Sequence, residues 1–167
     1  MSYQFKGTIR SARPADAAGI CSIYNHYIEN STISFEEVAV SVEEMQSRIR
    51  DHKADLPWLV YCDQEKVVAY AYATPWRARS AYRFSVETTV YVDKEYGRRG
   101  IARALYQNLI EQLRHAKLHT AIAGIALPNS ASIGLHEAFG FEKVAEFKEV
   151  GMKFDEWVNV GYWQLAL

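Results

Sequence analysis

Only two cysteines occur in the 167 residues, Cys21 and Cys62, and neither belongs to a C-x-x-C spacing. A small secreted scaffold stapled by disulfides needs more, so both read as reduced thiols of a cytosolic protein. No apolar run approaches the roughly 20 residues of a membrane-spanning helix. The opening Met1-Ser2-Tyr3-Gln4-Phe5-Lys6 lacks the apolar core of a secretion signal. Neither sign of charge dominates, because 19 Lys+Arg stand against 20 Asp+Glu for a formal net charge of −1. Nucleic acid and membrane are therefore not expected partners. The spacing H-E-x-x-H is missing, His26 and His52 lack companion ligands, and His115 and His119 read as solvated cations at a helix end, so no metal site is expected. There is no repeat, low-complexity segment or linker, and residues 1–167 read as one domain.

What is present is ample apolar material: 49% of residues are hydrophobic and 13% aromatic, which suits a packed core and argues against disorder. Thr8 to Ala12 reads as a first strand ended by Arg13-Pro14. Ile20, Ile23, Tyr24, Tyr27 and Ile28 recur at helical spacing, and Ser41 with Glu44 forms a capping box ahead of a second stripe through Val42, Met45 and Ile49. Asn30 to Val40 between them reads as a loop. Residues 58–62 and 67–72 read as strands joined by the polar turn Asp63-Gln64-Glu65-Lys66. A loop carrying Pro75, Arg77, Arg79 and Arg83 leads to a strand over Phe84–Val92, and Ile101, Leu105, Leu109 and Leu113 mark a helix. A strand over Thr120–Ala126, a short helix ending near Phe139-Gly140, and strands around 141–150 and 157–167 complete the chain. Hairpins first and strand-helix-strand later predict an α+β, mixed α/β sheet, and exclude a doubly wound parallel one.

The segment Glu87 to Ala102 concentrates chemical potential. A strand runs into the short basic loop Gly97-Arg98-Arg99-Gly100 and a helix start, where glycines, N–H groups and arginines suit a phosphate or pyrophosphate. An ordinary strand-to-helix turn with solvated arginines fits the same residues. The loop lacks the spacings of a P-loop and of a dinucleotide fold. Farther on, Asn129 or Ser130 caps a short helix that Gly140 ends. Glu87 lies on the opposite strand face from Phe84, Val86, Val90 and Val92, and glutamate is uncommon inside strands. It reads either as a site residue or as a solvated side chain.

Together these segments resemble the GNAT superfamily of acyl-CoA-dependent N-acetyltransferases. Trp76-Arg77-Ala78-Arg79-Ser80-Ala81-Tyr82, Glu87-Thr88-Thr89-Val90-Tyr91-Val92, Leu127-Pro128-Asn129, Leu135-His136-Glu137-Ala138 and Gly161-Tyr162-Trp163-Gln164-Leu165 are similar to the phosphinothricin and methionine sulfoximine N-acetyltransferases. The resemblance runs from about residue 8 to the C-terminus. It implies a central mixed, mostly antiparallel twisted sheet flanked by helices, and a homodimer. It also implies transfer of an acetyl group from acetyl-CoA to the α-amino group of a small amino-acid analogue carrying anionic groups. Acetylation of another amine (a polyamine, an antibiotic or a protein N-terminus) and a non-catalytic acetyl-CoA sensor are the alternatives.

By this resemblance Glu87 is the general base. His136 either donates to the departing thiolate or serves a structural hydrogen bond, standing where many superfamily members have Tyr. Val90, Tyr91 and Val92 hold the pantetheine arm, and Asn129 and Ser132 hold it from the other side. Gly97, Arg98, Arg99, Gly100, Ile101 and Ala102 cradle the pyrophosphate, with Gly97 replacing the usual Gln or Arg. Phe35, Trp76, Arg77, Arg79 and Tyr82 are the expected substrate contacts, the arginines as bidentate anion grips or else as solvated loop residues.

Overall fold

Two local devices start the N-terminal half. Asp16 accepts hydrogen bonds from both terminal nitrogens of Arg10 at 2.7 Å and from the Arg13 N–H at 2.7 Å, tying the first strand to the start of the first helix. The Ser41 hydroxyl accepts the Glu44 N–H at 3.1 Å and caps the second helix. The Glu44 carboxylate does not reach back to complete the capping box; it pairs with Arg48 at 3.0 Å, an i,i+4 pairing that exposed helix faces favour.

The computed structural model describes residues 7–167. In chain order these form β1 (Thr8–Ser11), α1 (Ala17–Asn30), α2 (Val42–Arg50), β2 (Trp58–Asp63), β3 (Lys66–Pro75) and β4 (Ser85–Val92). They continue with α3 (Ile101–His115), β5 (Thr120–Ala126), α4 (Ser130–Ala138), β6 (Glu142–Lys153) and β7 (Glu156–Ala166). One seven-stranded sheet, ordered β1-β2-β3-β4-β5-β7-β6, joins all the strands. Every neighbouring pair is antiparallel except β4 and β5. The mixed sheet expected from the order of elements, and the mostly antiparallel pairing that the resemblance implies, are therefore present.

Strand alternation sends side chains to two different layers. On one face Leu105, Leu109 and Leu113 of α3 are fully buried against Val86, Ala121, Ala123 and Trp163. Each such side chain contributes about 1.5–3 kcal/mol by leaving water. On the other face α1 and α2 cover Trp58, Val60, Cys62, Val67 and Tyr70 with Ile20, Ile23, Ile28 and Met45.

The last hairpin is longer than the sequence suggests. β6 runs on to Lys153 and turns through Phe154 and Asp155, both at positive φ (53° and 60°), the geometry of a two-residue hairpin turn. Glycine and asparagine usually mark that turn, so nothing in Phe154-Asp155 announced it. An irregularity in the β6–β7 register between Phe147 and Gly151, with Glu149 at φ 50°, lies where the sequence reading ended the strand.

Candidate active site

The parallel pairing of β4 with β5 stops early. It joins Ser85 to Thr120, Val86 to Ala121 and Glu87 to Ile122, and no further. Beyond that point β4 stays with β3 as far as Val92, whereas β5 stays with β7 as far as Ala126. The two strands fork, and the fork leaves a slot of about 80 Å³ lined by Thr88, Val90, Ile125, Asn129, Ser132 and His136 among others.

Hydrogen-bonding direction alternates along a strand. The Asp93 N–H bonds the Val68 carbonyl on the β3 side at 2.8 Å, so Tyr91 also turns its backbone to β3, while Val90 and Val92 turn theirs toward the fork. The Val92 carbonyl accepts from the Tyr27 hydroxyl at 2.5 Å. Of the three expected arm-holding residues, Val90 thus offers both backbone groups to the slot and Tyr91 offers its side chain to the adjoining cleft.

The loop after β4 ends at Gly100, which caps α3 in the left-handed region at φ 77°. Only glycine takes that geometry freely. A Cβ at Gly100 would meet nothing within 4 Å and would stand in open space. Ala104 makes the first bond back, to the Gly100 carbonyl at 3.0 Å, so the N–H groups of Ile101, Ala102 and Arg103 point out of the helix end. Arg98 and Arg99 are exposed beside it, Arg99 lying over the Tyr96 ring at 4.9 Å. Gly97 has room for a side chain, since a Cβ there would approach only the Lys94 carbonyl at 3.7 Å. Its presence in place of Gln or Arg leaves the backbone cradle intact. The combination of open strand edge, fork and anion-favouring helix start fits an acyl-CoA.

Across the slot, Asn129 accepts the Ser132 N–H at 3.1 Å and caps α4. His136 is 3% exposed and has both nitrogens engaged, Nδ1 with the Ser132 carbonyl at 2.7 Å and Nε2 with the Tyr106 hydroxyl at 2.7 Å. A carbonyl only accepts, so Nδ1 carries the proton and Nε2 accepts from Tyr106. Burial pushes the imidazole below its ordinary value and keeps it neutral, against the smaller opposing effect of the Ser132 carbonyl.

On the opposite sheet face, past the edge of α1, lies a cleft of about 500 Å³. It shares Ile33, Thr89, Tyr91, Gly124 and Ala126 with the slot, so the two adjoin along these residues. Glu87 stands in this cleft beside Tyr72, Thr74 and Tyr162. Burial raises its pKa above the usual carboxylate value, and the nearby Arg77 guanidinium pulls the other way. Tyr24 and Tyr91 close one side, and burial pushes the Tyr24 phenol up to about 12, so it remains a hydroxyl.

Phe35 lines the cleft, held there by its loop. Lys153 donates to the carbonyls of Ser31 and Ser34 at 2.8 and 2.6 Å, and a Cβ at Gly151 would overlap the Phe35 ring. Trp76 meets Tyr162 edge-on at 5.7 Å, and the Arg77 guanidinium lies over the Trp76 ring at 4.7 Å, which puts this pair at the rim. Arg79 and Tyr82 are exposed and do not line the cleft. The structure therefore brings Phe35, Trp76, Arg77 and Glu87 together and leaves Arg79 and Tyr82 outside.

The sequence reading missed Tyr24, Tyr72, Thr89, Gly124 and Tyr162. The tyrosines are indistinguishable from core aromatics until the layers are known. Gly124 did carry a signal, because a lone glycine inside a strand often marks a close approach. A Cβ there would come within 3.1 Å of Tyr162 and 3.3 Å of Glu87 Oε1, so the glycine gives the carboxylate its space.

Among the described residues no helix is long and apolar enough to cross a membrane, and no group of three His, Cys, Asp or Glu side chains is placed to hold a metal. A family model described as Acetyltransferase (GNAT) domain matches residues 9–160. A phosphinothricin N-acetyltransferase from Streptomyces viridochromogenes is 38% identical over 156 residues, covering 93% of this chain and 85% of that protein. An L-methionine sulfoximine/L-methionine sulfone acetyltransferase from Salmonella typhimurium is 34% identical, covering 96% of this chain and 94% of its own. A phosphinothricin acetyltransferase from Sinorhizobium meliloti, solved in complex with acetyl-CoA, superposes with a TM-score of 0.92 at 33% identity over 100% of this chain and 89% of that one.

Proposed function

The chain belongs to the GNAT acetyltransferase family and is an acetyl-CoA-dependent enzyme, and from that premise we propose that it acetylates the α-amino group of phosphinothricin, methionine sulfoximine or methionine sulfone, with Glu87 as the base. The observation that carries the reading is the half-buried Glu87 at the mouth of the fork, in a cleft that shares a wall with the slot. Bound acetyl-CoA supplies the acetyl thioester. An α-ammonium is mostly protonated at neutral pH and cannot attack until it loses a proton. The Glu87 carboxylate takes that proton at Oε1 or Oε2, and burial makes it a stronger base than a solvated glutamate. The backbone of Val90 orients the cofactor arm and polarises the carbonyl from the open strand edge, and Asn129 and Ser132 bound the arm opposite. The N–H groups of Ile101 and Ala102, with Gly100, Arg98 and Arg99, hold the pyrophosphate.

Arg77 at the rim meets the carboxylate or the oxygen-rich group of the amino acid by charge-assisted bonds, and Phe35 and Trp76 flank its carbon chain. His136, neutral with both nitrogens occupied, acts as a structural partner in the resting enzyme. The enzyme works as a homodimer, a reading supported by the exposed apolar side chains Val144, Phe147, Val150, Met152 and Trp157 on β6 and β7.

A thiol-release assay with acetyl-CoA tests the acceptor across phosphinothricin, methionine sulfoximine, methionine sulfone, polyamines and peptides. Turnover of the three amino-acid analogues with little on polyamines or peptides is expected. Silence on every amine, with acetyl-CoA still bound, would replace the enzyme reading with that of a sensor. Sedimentation of the full chain at micromolar concentration reads the assembly, and a monomer would overturn the dimer.

A further inference from the structure

The last β4–β5 ladder pair is Glu87 with Ile122, and the next residue, Thr88, turns its side chain into the α3 layer. There its Oγ1 lies 2.8 Å from the Tyr106 hydroxyl and 3.4 Å from the Ile122 carbonyl. The same Tyr106 hydroxyl lies 2.7 Å from His136 Nε2, and His136 Nδ1 returns to the Ser132 carbonyl in the first turn of α4. One hydrogen-bonded chain thus joins β4, α3 and α4 at the point where the sheet ladder gives out, and the Ile122 carbonyl of β5 lies beside it without sharing its protons. Its three side chains are 5%, 0% and 3% exposed. Phe139 and Phe141 pack around it, with ring centroids 5.7 and 6.2 Å from Tyr106.

We infer that Tyr106 is a positioning residue whose hydroxyl fixes the width of the fork and registers it with the phosphate cradle. The inference rests on the fork being the seat of the cofactor arm. Tyr106 sits on the same helix whose first turn forms the cradle, so the distance from cradle to fork is set by one rigid element. β4 and α4 form two walls of the slot, and both are hydrogen-bonded to this hydroxyl through Thr88 and His136. Hydrogen bonds hold them in a way apolar packing does not, because they fix direction as well as distance. In the neutral state the order is settled: Thr88 donates to Tyr106, Tyr106 to His136, and His136 to the Ser132 carbonyl. No member is left unsatisfied, so the chain has one arrangement.

Three substitutions test the role. Tyr106→Phe removes one oxygen, Thr88→Val removes the other at nearly constant shape, and Thr88→Ser keeps it. The dissociation constant for CoA, measured by calorimetry, is expected to rise about tenfold in Tyr106→Phe and in Thr88→Val. The KM for acetyl-CoA should rise in parallel while the KM for the amine stays near wild type, and Thr88→Ser should restore both. Wild-type CoA affinity in Tyr106→Phe and Thr88→Val, with only the melting temperature lowered, would overturn the inference and leave a core hydrogen bond. Equal losses for CoA and amine would overturn it as well. Should Tyr106→Phe not fold, the two Thr88 variants decide. Calorimetry with CoA needs no acceptor, so the result stands even if no amine in the acceptor assay turns over.

Discussion

The two faces of this sheet are built on opposite plans. Under α3 the layer is apolar and largely buried, and the polar chain within it, Thr88–Tyr106–His136, has every donor matched. On the other face α1 and α2 cover β2 and β3, while the β4–β5–β7 side is left as a cleft walled by Tyr72, Tyr91 and Tyr162. The faces are separated by the thickness of one strand. Along β4, Val86 and Thr88 belong to the core, and Glu87 and Thr89 belong to the cleft. The lesson is that strand alternation places a packing residue and a reactive one side by side in sequence without mixing their environments.

The sharpest contrast comes from one substitution on each face. Glu87→Gln should lower kcat by about 10²–10⁴-fold, the usual share of a general base, with acetyl-CoA affinity unchanged. Steady-state kinetics check this, and a kcat near wild type would assign the base elsewhere. The same substitution should not lower stability at neutral pH. The folded-state pKa of Glu87 is raised, so the native protein binds its proton more tightly than the unfolded chain does. Stability from this group is present at low pH and falls as pH rises through the folded-state value. Removing the charge removes that cost, and melting curves at pH 5 and pH 7 should converge in Glu87→Gln relative to wild type. In the active enzyme kcat/KM should fall as pH drops through the same raised value, above the ordinary glutamate range.

Leu109→Ala on the dry face should do the reverse. A loss of about 2–5 kcal/mol in denaturant unfolding is expected, with kcat per folded molecule unchanged. A matching loss of kcat would mean that the two faces are mechanically coupled. The smallest effect belongs to the edge of both. Gly100→Ala should cost about 1–2 kcal/mol, because φ 77° disfavours a side chain even where space is open. Its KM for acetyl-CoA should rise and its KM for the amine should not.

Periodicity made the helices and most strands legible. Ile101, Leu105, Leu109 and Leu113 mark α3, and Ser41 marks the start of α2. Boundaries failed where backbone geometry overrode residue preference, as at the Phe154-Asp155 turn and the irregular stretch before Gly151. Within the site, local features exposed Gly97 to Gly100, and the parity of β4 set Glu87 apart. The fork was invisible, because no residue type signals that a parallel ladder will stop at Ile122. Tyr106 lies beside the stripe Ile101, Leu105, Leu109 and Leu113, and nothing in the sequence singled it out. Its function depends on Thr88 and His136, 18 residues before it and 30 after it, and spacing within one element cannot show a triangle drawn across three.

Lys153 grips the Phe35 loop by two backbone carbonyls, a feature any residue at positions 31 and 34 supplies. The side chains that face the amine are thereby uncoupled from the fastening that holds them. A substitution at Phe35 would redraw the cleft wall while leaving that fastening and Glu87 in place. Acceptor choice is in this sense a replaceable module mounted on a fixed engine, and a lineage can trade one small amine for another while inheriting its chemistry unchanged.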